Sequence, residues 1–165
     1  MDRLDATDRA ILAQLQEDAR ISVAALAERV GLTPTPLRAR LERLESSGVI
    51  RGYHADVDPA HLGRPVMAFV HVTMRDHSRA SHHRFVKAVS TMTEVIEVHH
   101  IAGEEDFLLK VLVESVAAYE VFILERLTTV AGIGRVKTTF VLSSSKHRAP
   151  VAVGDEPASP KRRRS

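Results

Sequence analysis

The sequence predicts an α+β fold in two domains, and three observations predict it. The amino-terminal third carries apolar residues at helical spacing in three short blocks, punctuated by cap residues and glycines. From Val66 to Leu142 the order becomes strand, helix, strand, strand, helix, strand. Between the two lies a strand-like run, Val49–Val57, broken by Asp58-Pro59 and Leu62-Gly63.

Asp5 is placed to cap a first helix, with Asp8 where an acid favours the helix dipole. Ile11, Leu12 and Leu15 give its apolar face, and Asp18-Ala-Arg20 ends it. Ser22 caps a second helix whose Val23, Leu26, Ala27 and Val30 face inward, and Gly31 closes it. Thr33 is the cap of a third, and Pro34 fits the first helical position, where no N–H is needed. Pro36 also lacks an N–H, so Thr33 is expected to cap through Thr35. Leu37, Leu41 and Leu44 make the buried stripe, and Gly48 closes the helix. Arg38, Arg40 and Arg43 lie off that stripe, where they can reach phosphates or base edges. A short helix, a glycine-containing turn and a helix with exposed arginines is the helix-turn-helix pattern. The competing reading is a plain three-helix bundle with solvated arginines.

In the second half, Val66–Met74 is a strand with Val66, Ala68, Val70 and Val72 on one face and Met67 and Phe69 on the other. A helix with Phe85, Val86 and Val89 follows, then strands at Val95–Ile101 and Phe107–Val113 around the turn Gly103-Glu-Glu-Asp106. A helix with Tyr119, Ile123 and Leu127 leads to Gly132 and Gly134, then a strand at Val136–Leu142. This order is the ferredoxin-like βαββαβ unit. Helices cover one face of such a sheet, so apolar residues on the other call for self-association.

Composition removes several classes. With 165 residues and no cysteine, disulfides, thiol catalysis and cysteine metal sites are excluded. No run is long and apolar enough to span a membrane, and Met-Asp-Arg-Leu-Asp at the amino terminus lacks an apolar signal core. A cytoplasmic protein is expected, with no membrane partner. Met1–Leu62 carries eight Lys/Arg against ten Asp/Glu, Gly63–Ser145 nine against nine, and Lys146–Ser165 six against two. The tail, ending Lys161-Arg-Arg-Arg164, therefore makes the chain basic, and overall charge is no argument for nucleic-acid binding. The local excess is better evidence: Thr33–Gly52 has four arginines against two glutamates.

Leu4-Asp5-Ala-Thr-Asp8-Arg-Ala-Ile11-Leu12, Asp18-Ala-Arg20-Ile-Ser22, Leu26-Ala-Glu-Arg-Val30-Gly-Leu-Thr33 and Arg40-Leu-Glu-Arg-Leu44-Glu-Ser-Ser-Gly48-Val-Ile50-Arg-Gly-Tyr53 resemble the Lrp/AsnC (feast/famine) regulators. Gly103-Glu-Glu-Asp106-Phe107 resembles that family's glycine–x–x–aspartate–aromatic turn. The resemblance covers about Leu4 to Lys146. Thr33 stands where the family usually has serine, and Phe107 where it usually has tyrosine, so a hydrogen bond from that hydroxyl is lost. The arginine-rich tail is not a family feature.

The resemblance implies a winged-type helix-turn-helix domain at 1–48, a strand and linker at 49–63 and a ferredoxin-like effector-binding and oligomerisation domain at 64–145, and composition adds a disordered basic tail at 146–165. It implies a transcriptional regulator that dimerises through its sheet, assembles into a tetramer or octamer, and binds double-stranded DNA and a small amino acid, with no cofactor or metal. Thr33, Thr35 and Pro36 would approach base edges, with Arg38 and Arg40 on bases or phosphates and Arg43 on the backbone. Pairing of these arginines with Glu42 or Glu45 at the surface is the competing reading. Asp106 would hold the ammonium of the effector and backbone N–H groups its carboxylate. Gly103 would allow close approach, with Phe107, Thr138 and Thr139 as lining.

Other classes rank lower. Nine histidines invite a metal, but His82-His83 and His99-His100 are adjacent pairs that do not face one site. His71 and His99 are the pair expected to approach across strands. No phosphate loop or nucleophile elbow supports an enzyme. An amino-acid-binding oligomeric module that lost DNA binding, or a small-molecule enzyme of ferredoxin-like fold, is the alternative.

Overall fold

Asp5 and Asp8 close a capping box at the start of α1 (Ala6–Glu17). The Asp8 N–H donates to Asp5 Oδ1 at 2.8 Å and the Asp5 N–H to Asp8 Oδ2 at 3.1 Å. The computed structural model describes residues 4–154, which divide into two units. The first holds residues 4–56 together with 146–154. Its α2 (Val23–Arg29) is capped as expected, Ser22 Oγ accepting from the Ala25 N–H at 3.2 Å. Its α3 spans Pro34–Ser46. Ile11, Leu26, Ala27, Leu37 and Leu44 are buried at their meeting point, with Leu12, Leu15, Val30, Leu41 and Ile50 packed around them. Gly48, at φ +74°, takes the left-handed turn that closes α3, and the Ile50 N–H returns to the Leu44 carbonyl at 3.0 Å.

Two expectations for this unit are corrected. Val49–Val57 forms no strand, because a strand exists only in a ladder and no described segment pairs with this one. The tail is not disordered throughout. Val151 lies against α1, its carbonyl accepting from Gln16 Nε2 at 3.0 Å and its N–H donating to Gln16 Oε1 at 2.7 Å. The basic run Lys161–Arg164 lies outside the described residues.

The second unit, Val57–Ser145, opens with a single 3₁₀ turn, Pro59–Leu62. It then has the expected order: β1 (Val66–Met74), α4 (Arg79–Val89), β2 (Val95–His100), β3 (Phe107–Val113), α5 (Val116–Val121) and β4 (Ile133–Phe140). A π-helical stretch, Phe122–Leu127, continues α5. The sheet order is β2-β3-β1-β4 and every pairing is antiparallel. Ala68, Val70, Val72 and Met74 of β1 pack under Phe85 and Val89 of α4 and under Tyr119, Phe122 and Leu127. The alternate residues Met67 and Phe69, with Leu108, occupy the opposite face and stay half-buried.

β4 begins three residues before the expected Val136 and ends at Phe140 rather than Leu142. Gly134 does not break the strand. The ladder shifts register between Thr73 and Met74, and a Cβ at Gly134 would come within 3.1 Å of the Thr73 carbonyl.

Candidate nucleic-acid interface and effector turn

The first turn of α3 is short of donors, since Pro34 and Pro36 have none. Thr33 takes extended cap geometry (φ −90°, ψ 161°) but makes no side-chain cap bond, so the expected capping through Thr35 is corrected. The only N–H left in reach is that of Thr35, one position short of the usual partner at Pro36. The Leu37 N–H starts the helix on the Thr33 carbonyl at 3.3 Å. Thr33, Thr35 and Pro36 are all exposed.

The three arginines separate into two roles. Arg40 Nη1 lies 2.7 Å from both Asp5 Oδ2 and Asp8 Oδ1. Arg43 Nη2 lies 2.7 Å from both oxygens of Asp8. The Asp8 side chain is 1% exposed, while those of Arg40 and Arg43 are 29% and 37% exposed. In the DNA-free chain both arginines are therefore bracing residues, and the competing pairing with Glu42 or Glu45 is corrected. The partners are acids of α1, more than thirty residues away in sequence. A carboxylate this deeply buried needs charge partners, and the two guanidiniums supply them. Arg38 alone of the three keeps an exposed side chain with no carboxylate within 4.0 Å among the described residues. Glu45 instead accepts from the Tyr53 hydroxyl at 2.9 Å. Burial and that carboxylate push the Tyr53 phenol up to about 12.

The acids of this cluster titrate low. For Asp5 the Asp8 N–H and then Arg40 hold the carboxyl below the ordinary 3.8. For Asp8 burial pushes upward, but the bonds from Arg43, Arg40 and the Asp5 N–H outweigh it, and the net shift is downward. Groups depressed on folding stabilise above their unfolded value and lose that contribution as pH falls through the folded one. Stability is therefore expected to hold from neutrality to about pH 4 and to fall below it. Urea midpoints measured between pH 7 and pH 3 check this, and the fall is shallower in Asp8→Asn.

The effector turn is built differently from expectation. The hairpin closes with the Ile101 N–H on the Asp106 carbonyl at 2.9 Å, and the Asp106 N–H reaches the Val72 carbonyl at 3.0 Å. Asp106 Oδ2 accepts from the Met74 N–H at 2.7 Å, and Oδ1 lies 3.0 Å from His77 Nδ1. Burial raises the Asp106 carboxyl, yet the Met74 N–H and His77 outweigh it and leave it below the ordinary range. Asp106 is thus engaged at both oxygens, each with one partner. Phe107 is 1% exposed and stacks on Phe85 at a centroid distance of 4.7 Å, so it is core rather than lining. Thr138 points to the helical side and is bonded to the Tyr119 hydroxyl. Thr139 is exposed on the open face. Gly103 is exposed, with open space where a Cβ would stand. His71 and His99 do not meet, because Leu108 sits between them in the ladder. Sequence reasoning missed His77 and His82, which the fold brings to Asp106. Only the β1–α4 connection and the sheet register place them together.

A helix-turn-helix unit followed by a βαββαβ unit defines a regulator that couples a DNA-reading head to a ligand-binding domain. The comparisons agree with that class. A winged helix-turn-helix DNA-binding model matches residues 4–51, and an Lrp/AsnC ligand binding domain model matches residues 67–151. The chain is 37% identical over 150 residues to the DNA-binding transcriptional activator DecR of Escherichia coli K12, covering 91% of this chain and 99% of the relative. A transcriptional regulator from Neisseria meningitidis, solved as an L-Met complex, superposes with TM-score 0.84 at 32% identity over 92% of this chain and 97% of its own. A feast or famine regulatory protein from Mycobacterium tuberculosis, complexed with L-methionine, gives 0.81 at 34% identity over 88% and 96%. The chain belongs to the Lrp/AsnC family of transcriptional regulators. No described helix is long and apolar enough to cross a membrane.

Proposed function

We propose that this chain binds specific double-stranded DNA sequences through α3, as a homodimer or a larger assembly, and that a small amino acid modulates that binding or assembly. The observation that carries the reading is the exposed amino-terminal half of α3. Thr33, Thr35, Pro36 and Arg38 face solvent there, while Arg40 and Arg43 brace the helix from behind. In a helix-turn-helix the second helix enters the major groove with its amino-terminal residues on base edges.

The half-buried Met67, Phe69 and Leu108 on the open sheet face favour pairing of copies. Doubling the heads on a two-fold axis sets half-sites about one helical turn apart.

The effector reading is supported by the ligand-domain match and by the two methionine-bound relatives. The exposed backbone at Gly103 is the favoured contact, with Thr139 as polar lining and Asp106 fixing the shape of the turn. A thermal-shift screen of the full chain against the twenty amino acids tests this half. At least one, at a hundredfold excess over its Kd, is expected to raise the midpoint by on the order of 5 °C. The same ligand is expected to change DNA affinity or sedimentation. A flat screen contradicts the effector half, and ligand binding without any DNA binding favours an effector module instead.

A further inference from the structure

We propose that His77, His82 and Asp106 form a site for a divalent first-row transition metal such as zinc. This goes beyond the DNA and amino-acid reading and does not depend on it. Among the described residues these three each offer a ligand atom, and the three atoms lie within 4.8 Å of one another. Asp106 Oδ1 is 3.0 Å from His77 Nδ1 and 3.9 Å from His82 Nε2. Ligand atoms around a tetrahedral zinc, at bonds of about 2.0–2.1 Å, stand roughly 3.3 Å apart. The two distances bracket that value, so small side-chain rotations close the set.

Two of the three groups, Asp106 and His82, are held in place, and His77 sits on the exposed connection before α4. Asp106 Oδ2 is fixed by the Met74 N–H at 2.7 Å, which aims Oδ1 at the two rings. The His82 ring lies edge-on to His100 and Phe107, with centroids 5.1 Å away in both cases. His82 Nε2 is buried and has no hydrogen-bond partner among the described residues. A buried ring nitrogen aimed at a carboxylate oxygen, but too far to bond it, is the atom a metal would satisfy. Two imidazoles and one carboxylate suit zinc and its neighbours and leave a fourth position for water. The ligands come from the β1–α4 connection, from α4 and from the end of the β2–β3 turn. A bound ion would tie those three segments together.

The test uses the tag-free full chain, stripped with chelator and titrated with zinc chloride by calorimetry, without DNA or amino acid. One zinc per chain is expected. His77→Ala and His82→Ala are each expected to weaken binding on the order of tenfold or more, since even outer partners of a metal site cost that much. His83→Ala removes an exposed neighbour on α4 and is expected to bind as the parent does. His77 is exposed, so its variant is readable even where His82→Ala folds poorly. No zinc bound by the parent chain, equal binding by His77→Ala, or an equal loss in His83→Ala overturns the proposal.

Discussion

Asp8→Ala is expected to lower the unfolding free energy by about 3 kcal/mol, at the low end of what breaking a buried ion pair costs. Asp8 is a fully buried carboxylate that accepts from Arg40, twice from Arg43 and from the Asp5 N–H. Its removal deletes these charge-assisted bonds and leaves two guanidiniums facing each other across the vacated space. Their partial exposure lets water recover some of the loss, which is why the estimate sits low in the range. Asp8→Asn keeps the volume and an acceptor for the Asp5 N–H, so about half the effect is expected from it. Urea unfolding followed by circular dichroism at neutral pH measures both. A change under about 0.5 kcal/mol in Asp8→Ala would place the cluster among ordinary surface pairs.

Arg38→Ala is expected to weaken DNA binding by about tenfold or more, with stability nearly unchanged. A good side-chain contact to a base edge is worth about 1–3 kcal/mol. Arg38 holds no described carboxylate, so removing it costs the free protein little. Arg40→Ala is expected to behave in the opposite way. It removes a partner from Asp5 and Asp8, so its principal effect falls on unfolding free energy.

Local signals in the sequence were strong enough to read most of the fold. Asp5 and Ser22 cap as expected, and Leu37, Leu41 and Leu44 make the stripe, because caps and helical periodicity involve residues within a few positions. Val66–Met74 and Phe107–Val113 fall where the β-rich runs lie. What misled was non-local. Arg40 and Arg43 look like free cations until α1 and α3 are packed, which brings Asp8 from more than thirty residues away. Phe107 reads as the aromatic of a binding turn but alternates onto the core face of β3. His82 and Asp106 stand 24 positions apart, and only the hairpin and the β1–α4 connection make them neighbours. Val49–Val57 has strand composition without a ladder, and composition does not supply the partner.

The most direct test is DNA affinity on a fragment upstream of the protein's own gene, measured as log K against log salt for the parent, Arg38→Ala and Arg40→Ala. The parent should bind with a steep negative slope. Arg38→Ala should bind more weakly throughout, with the slope shallower by about one unit if the contact is to a phosphate and unchanged if it is to a base. A folded Arg40→Ala should keep the parental slope. Parental affinity in Arg38→Ala, or a slope shortened by Arg40→Ala alone, would contradict the division between a reading arginine and a bracing one.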